Sequence, residues 1–83
     1  MTAREIVIGD HSKAQASPAA MLVQLASKFD SSIYVDQAEK RTNAKSIMGV
    51  MILKFVEGEK VTVTAEGNDE ETAIAEIQKF LEA

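Results

Sequence analysis

The sequence contains no cysteine and only one histidine, His11. Without cysteine, disulfide bonds and thiolate metal sites are excluded, and one imidazole is too few for a histidine-based zinc site. No glycine-rich phosphate-binding loop and no paired-carboxylate signature occur. We therefore expect no metal and no cofactor, and an enzyme is the least supported class of function.

Long apolar segments are also missing, because the longest run, 50–53, is far too short to cross a bilayer. The N-terminus has no basic leader followed by an apolar stretch, so we expect no signal peptide and a cytoplasmic protein. The net charge of −4 argues against direct binding to nucleic acid. With 83 residues, 46% of them hydrophobic, the chain suits one globular domain, 1–83.

Local patterns predict four short strands. Apolar and β-branched residues between turn residues place three of them at 4–8, 33–35 and 61–65, and 40–42 is predicted as a polar return strand. The second and third of these are joined by a turn predicted at 36–39.

Two helices are predicted from serine caps. Ser17 caps the first, with Pro18 at its first helical position. The apolar stripe of this helix consists of Leu22, Leu25, Ala26 and Phe29. Ser46 caps a short second helix that runs to about Leu53.

The third helix is predicted to begin with Asn68 as its cap. Glu71 lies three positions on, as in a capping box. The predicted buried face is formed by Ala73, Ile74, Ile77, Phe80 and Leu81. The order is strand, helix, two strands, short helix, strand and helix. It predicts an α+β sandwich with the helices on one face of the sheet.

Ser46 has two interpretations. As a plain N-cap it stabilises its helix by about 1 kcal/mol. As a phosphorylation site it would place an anion at a helix N-terminus, where negative charge is favoured. The fold could accept that modification without unfolding, so a regulatory switch is physically permitted.

The second helix has more large apolar side chains than it can bury. We predict that Val50 and Leu53 face inward, whereas Met48, Met51 and part of Ile47 are exposed. Methionine is flexible and common at adaptable binding surfaces. The pattern therefore predicts a docking patch beside Ser46.

The other ionisable residues offer no recognisable chemistry. His11 has no partner at a spacing that would set its tautomer and pKa, so we expect a solvated loop histidine. The acidic residues near the third helix are explained by the end of a strand and the first helical turn. They are Glu66, Asp69, Glu70 and Glu71.

Three segments, 16–19, 23–29 and 43–51, together resemble the HPr family, the small phosphocarrier proteins of the sugar phosphotransferase system. Their separations extend the similarity over essentially all 83 residues. The resemblance implies an open-faced βαββαβα sandwich, in which three helices cover one face of a four-stranded antiparallel sheet.

HPr proteins carry a phosphoryl group on a histidine at the entry to the first helix, followed by alanine, arginine and proline. This chain is similar but has Gln15 at the histidine position and Ser17 at the arginine position. A glutamine amide nitrogen is not a nucleophile near neutral pH, because its lone pair is delocalised into the carbonyl. Without the arginine, a charge that would steady the phosphoryl group is also lost. The histidine relay should therefore be absent.

A glutamine at that position with the serine retained resembles the catabolite-repression branch of the family. The resemblance implies that HPr kinase/phosphorylase phosphorylates Ser46. The phosphorylated protein would then act as corepressor of a LacI-type catabolite control protein. The implied partner-binding residues are Ile47, Met48, Met51, Ser17, Ala20, Met21 and Gln24.

Two positions depart from the family pattern, Ser17 on the partner surface and Lys13, which replaces a glycine in the loop. Two alternatives stay open. One is a phosphocarrier of the phosphotransferase system whose acceptor has moved to His11, and the other is a module that binds a metabolic enzyme directly. Since open sheet edges can pair, a monomer or weak homodimer is expected.

Overall fold

The computed structural model describes residues 1–12 and 17–83 of the chain. The described part contains four strands and three helices in the predicted order. They are β1 (Thr2–Val7), α1 (Pro18–Ala26), β2 (Ser32–Gln37), β3 (Lys40–Asn43), α2 (Ile47–Val50), β4 (Lys60–Glu66) and α3 (Glu70–Glu82).

The strands form one antiparallel sheet in the order β1-β4-β2-β3. The register pairs Ile6 with Val61 and Val35 with Val63, so these buried side chains share one face. That face is covered by the helices, since α3 packs on β1 and β4 and α2 packs on β3. Helix α1 packs against both other helices. The predicted open-faced α+β sandwich is confirmed.

The core lies between the sheet and the helices. Its largest fully buried side chains are Ile6, Ile8, Leu22, Ile33, Ile74, Ile77, Leu81, Val35, Val50 and Val63. The predicted inner face of α3 is confirmed, although Phe80 is only half-buried. In the first helical stripe Leu25 and Phe29 are also half-buried, and Phe29 lies beyond the end of α1. Burial of each large side chain stabilises the fold by about 1.5–3 kcal/mol.

The prediction that Asn68 caps the third helix is wrong, because the cap residue is Asp69. The carboxylate of Asp69 makes no capping bond and accepts hydrogen bonds from the backbone N–H groups of Asp30, at 2.9 Å, and Ser31, at 3.0 Å. It also accepts the Ser31 hydroxyl proton. The N–H of Gly67 donates to Glu70, at 3.1 Å. The Asp69 carboxylate is thus bound by partners 38 and 39 residues away and not by its own helix.

Helix α2 ends at Val50, earlier than the predicted Leu53. Beyond it, the N–H of Ile52 donates to the carbonyl of Gly49 at 3.2 Å, and that of Leu53 donates to Val50 at 3.0 Å. These bonds span three residues, so the chain continues in tighter turns than an α-helix.

Two local irregularities lie in β3 and in the turn before it. The turn before it contains Ala38, which has a φ of 55°, a conformation that residues other than glycine rarely adopt. Within the strand Thr42 is buried, and its Oγ1 has no hydrogen-bond partner among the described residues.

Candidate functional site

Ser46 is exposed at the junction of β3 and α2, where it caps the helix. Its backbone is extended, with φ −103° and ψ 113°, and its Oγ accepts a hydrogen bond from the N–H of Gly49 at 3.3 Å. The predicted N-cap is confirmed. The hydroxyl is at the surface, where another protein can reach it.

The loop that carries Ser46 is fixed on both sides. The N–H of Ala44 donates to the carbonyl of Ile33 in β2 at 2.9 Å, and Asn43 Oδ1 accepts the N–H of Lys45 at 2.9 Å. Lys45 Nζ donates to the carbonyl of Phe29, just beyond α1, at 2.7 Å. Strand β2 and the end of α1 therefore hold the position of Ser46.

Gly49 lets α2 lie close to the sheet. A Cβ atom on this residue would come within 3.0 Å of the Thr42 Cγ2 atom in β3. That separation is tighter than ordinary van der Waals contact, so a residue with a Cβ would force Thr42 or the helix to shift by a few tenths of an ångström. The glycine in the segment 43–51 thus has a packing role that supports the serine cap.

The apolar residues of the α2 segment divide as predicted. Met48 is 82% exposed, Met51 69% and Ile47 44%, whereas Val50 is fully buried and Leu53 half-buried. Ile52 is also exposed, which the sequence reasoning missed. We call Ile47, Met48, Met51 and Ile52 the α2 surface. Exposed apolar clusters of this kind mark protein–protein contacts more often than chance would give.

The exposed face of α1 adjoins this region, because α1 packs against α2. Ser17, Met21 and Gln24 are exposed, and Ala20 is half-buried. Ser17 Oγ accepts the N–H of Ala20 at 3.4 Å, which confirms the predicted cap. That these residues contact a partner stays a prediction. Gln15 and Lys13 lie outside the described residues.

The expectation that His11 is a solvated loop residue is wrong. Its side chain is half-buried. The centroid of its ring lies 5.3 Å from that of the Phe80 ring and 6.3 Å from that of the Phe55 ring. Nε2 lies 3.0 Å from the carbonyl oxygen of Leu81, near the end of α3. Since a carbonyl can only accept, Nε2 carries a proton and donates it. The aromatic partners are distant in sequence, so spacing gave no signal for this contact.

The acidic residues at the start of α3 hold the fold together. Glu70 accepts hydrogen bonds from the Thr2 hydroxyl and the Gly67 N–H, and lies 3.0 Å from the N-terminal ammonium. The Thr2 hydroxyl above all, with these other donors, lowers the pKa of Glu70 to about 2. The Ser31 hydroxyl, followed by the Asp30 N–H, similarly lowers the pKa of Asp69.

Within residues 1–12 and 17–83, no histidine and carboxylate side chains cluster in a way that could hold a metal ion. Among the same residues, none of the helices has the length and apolar character needed to cross a membrane. What the region around Ser46 presents is an accessible hydroxyl, a fixed loop and an apolar surface. That arrangement suits modification and docking.

The chain matches the family model described as the PTS HPr component phosphorylation site over residues 2–83. It is 46% identical to the HPr-like protein Crh of Halalkalibacterium halodurans over 68 residues, which are 82% of this chain and 81% of the relative.

Solved structures agree with this similarity. The phosphocarrier protein HPr of Bacillus anthracis superposes with a TM-score of 0.88 at 34% identity, covering 98% of this chain and 96% of that one. Crh of Bacillus subtilis superposes with a TM-score of 0.72 at 38% identity, covering 92% and 83%. The crystal structure of that protein is described as a domain-swapped dimer.

Proposed function

Because this chain belongs to the HPr family, we propose that it is a regulatory protein of carbon catabolite repression that catalyses no reaction itself. Its switch is phosphorylation of Ser46 by HPr kinase/phosphorylase. The observation that carries the proposal is the exposed Ser46 hydroxyl beside the exposed side chains of Ile47, Met48 and Met51. The relatives named Crh support the same regulatory role.

Phosphorylation changes the surface and leaves the fold in place. A phosphoserine carries about −1.5 to −2 charges at pH 7 and three strong acceptor oxygens. The loop around Ser46 is held by the Ala44, Asn43 and Lys45 hydrogen bonds, none of which uses the serine hydroxyl. The new charge is therefore presented at a fixed position, where a partner with basic groups can bind it.

The partner is a LacI-type catabolite control protein, for which the phosphorylated chain is a corepressor. Ile47, Met48 and Met51 supply apolar contacts, and Ser17, Ala20, Met21 and Gln24 extend the surface along α1. The regulator contacts DNA, and this acidic chain does not.

The histidine relay is absent because Gln15 stands at the acceptor position. The protein acts in the cytoplasm as a single domain, 1–83. It is a monomer or weak homodimer, and the dimer described for Crh of Bacillus subtilis supports the second state.

The first test is phosphorylation itself. Incubation with ATP and the HPr kinase/phosphorylase of the same organism should place one phosphate on Ser46, located by mass spectrometry. A Ser46→Ala variant is the control and should remain unmodified. Absence of phosphate from the unmodified sequence would overturn the proposal.

The second test is binding to the cognate regulator. Phosphorylated protein should bind the catabolite control protein, and Met48→Ala with Met51→Ala should weaken binding by about tenfold or more, because interface energy concentrates in a few apolar anchors. Val7→Ala, at an exposed apolar residue in β1, is the matched control and should have little effect. Equal losses from both changes would contradict the assigned surface.

The geometry of His11 bears on the alternative phosphocarrier function. Its ring packs near Phe80 and Phe55 while Nε2 donates to Leu81, which suits a structural contact. Phosphoenolpyruvate and the general transfer enzyme should therefore give no acid-labile label. A label that disappears in a His11→Ala variant would favour the carrier.

The other alternative is a module that binds a metabolic enzyme directly. Pull-down experiments with and without Ser46 phosphorylation distinguish it from the corepressor. Capture of the catabolite control protein only by the phosphorylated form is the expected result. Capture of an enzyme in its place would favour the alternative.

A further inference from the structure

A depression of about 340 Å³ lies beyond the end of α2. We call it the lysine pocket, and it is lined by Gln37, Ala38, Lys40, Ile52, Lys54 and Glu59. It is separate from Ser46 and shares only Ile52 with the α2 surface.

The pocket lies between the end of the β2–β3 hairpin and the segment that follows α2. Gln37 and Lys40 are paired at the end of β2 and β3, and alternation places them on the helix-covered face with Val35 and Thr42. Helix α2 stops at Val50, so it does not reach this end of the sheet. Gln37 and Lys40 therefore line the pocket from the sheet, and Ile52 and Lys54 line it from the segment after α2.

Two features fix the pocket walls. The Gln37 side chain joins β2 to the wall, because its Nε2 donates to the Lys54 carbonyl at 2.9 Å and its Oε1 accepts the Lys54 N–H at 2.8 Å. Ala38 is the one non-glycine residue with positive φ in the described part of the chain. That conformation belongs to the two-residue hairpin turn between the paired Gln37 and Lys40, so the turn fixes this side of the pocket.

The pocket lining has a small excess of positive charge, because Lys40 and Lys54 face one acidic residue, Glu59. Segment 40–56 contains four of the nine basic residues of the chain and none of its thirteen acidic residues. Arg41 is committed to Asp36, at 3.0 and 3.1 Å, and Lys45 to the Phe29 carbonyl. Within residues 1–12 and 17–83, the ammonium groups of Lys40 and Lys54 have no ion pair or hydrogen bond. These two cations are therefore available to a ligand.

We propose that the lysine pocket receives a carboxylate side chain from an acidic segment of the protein that docks on the α2 surface. The inference rests on the proposed docking role of that surface, and it adds the chemistry of the partner. Ile52, 57% exposed, connects the two regions, so a chain lying across Met51 and Ile52 continues directly to the lysines.

A carboxylate on a polypeptide fits the lining better than a free phosphate. Exposed Glu59 forms part of the pocket and repels a dianion more strongly than a single carboxylate. Ile52 offers apolar contact that phosphate cannot use. A segment that alternates acidic and apolar side chains meets both requirements.

The test is an NMR titration of the unphosphorylated full chain, so it does not depend on Ser46 modification. The probe is an acetylated and amidated tetrapeptide, Leu-Glu-Leu-Glu, with Leu-Lys-Leu-Lys and inorganic phosphate as separate comparison ligands. We expect saturable shifts of the amide signals of Ala38, Ile52 and Lys54 with the acidic peptide only, and weaker binding as salt increases.

Variants decide whether the lysines are responsible. Lys40→Gln with Lys54→Gln should weaken peptide binding by about tenfold, at roughly threefold per exposed charge pair. Lys28→Gln with Lys79→Gln makes the same change in net charge elsewhere and should stay within about twofold. Spectra of the variants establish that both remain folded.

Either of two results would overturn the proposal. One is equal peptide binding by the two double variants, and the other is a response of these amides to phosphate but not to the peptide, which would indicate a small-anion site. Failure of Ser46 phosphorylation is a separate outcome that leaves this titration unaffected.

Discussion

Helices α2 and α3 use their apolar residues in opposite ways. In α3, Ala73, Ile74, Ile77 and Leu81 are all buried against the sheet or neighbouring helices. In α2 only Val50 is buried, and the large side chains point outward. The first arrangement stabilises the fold, and the second gives up burial energy and leaves an exposed apolar surface.

The N-termini of the two helices also differ in how strongly they are bound to the rest of the chain. The carboxylates of Asp69 and Glu70 bind groups in other parts of the chain, including Ser31 and Thr2. Among residues 1–12 and 17–83, Ser46 Oγ binds only the N–H of Gly49 in its own helix. The start of α3 is thus tied into the tertiary structure, while the start of α2 is accessible. Mutations should therefore separate stability from binding along this division.

The largest expected effect is at the buried face of α3. Ile74→Ala should lower the free energy of unfolding by about 2–5 kcal/mol, because it removes transfer energy and leaves a cavity. Met48→Ala in α2 should change it by no more than about 0.5 kcal/mol. Urea unfolding followed by circular dichroism measures both. Similar losses would break the distinction between the helices.

A second effect concerns the turn before α3. At Gly67, where φ is 153°, an added Cβ would lie 2.6 Å from Ser31 Oγ and 2.7 Å from Ser31 Cα. At Gly58, where φ is 91°, it would meet nothing within 4 Å. Both alanine variants introduce backbone strain. Gly67→Ala should lower the free energy of unfolding by about 1–3 kcal/mol more than Gly58→Ala, because it also overpacks the contact with Ser31. Thermal unfolding of the two variants tests this, and equal costs would argue against close packing there.

The serine cap of α2 should contribute less. Ser46→Ala should lower the free energy of unfolding by about 1 kcal/mol, and Ser46→Asp should retain most of it, since aspartate is also a good cap. Asn68→Ala should stay within about 0.5 kcal/mol, because Asn68 is not the cap of α3. A larger loss at Asn68 than at Ser46 would reverse the comparison.

The smallest effect should be a dependence of the free energy of unfolding on pH that is confined to acidic solution. Folding lowers the pKa of Glu70 from 4.5 to about 2, so the folded state binds fewer protons than the unfolded state in this range. Its contribution is complete above about pH 4.5 and is lost as the pH falls toward 2. Glu70→Gln should flatten this decline in the free energy of unfolding, measured by urea titration at several pH values. Glu71→Gln, at an exposed neighbouring position, should leave it steep.

The sequence predicts the order of elements well because apolar periodicity reports burial directly. The buried residues of α1, α3 and β4 all belong to the one core between the sheet and the helices. The exposed Met48 and Met51 were predictable for a related reason, since one short helix cannot bury every apolar neighbour.

Long-range contacts were not predictable in this way. Asp69 binds Asp30 and Ser31, and His11 packs near Phe55 and Phe80, so the partners are far apart in sequence. A local capping pattern therefore favoured Asn68, and spacing alone favoured a solvated histidine. The early end of α2 was missed because the turns that follow it keep hydrogen bonds of a related geometry.

The buried Thr42 hydroxyl has a practical consequence for protein engineering. Its oxygen has lost water without gaining a hydrogen bond among the described residues. Valine has nearly the same shape and no polar atom. Thr42→Val should therefore raise the free energy of unfolding by about 1 kcal/mol and raise the melting temperature. Thr42 lies under Gly49 and away from the α2 surface. A more stable protein that keeps the α2 surface unchanged should therefore need only one substitution in β3.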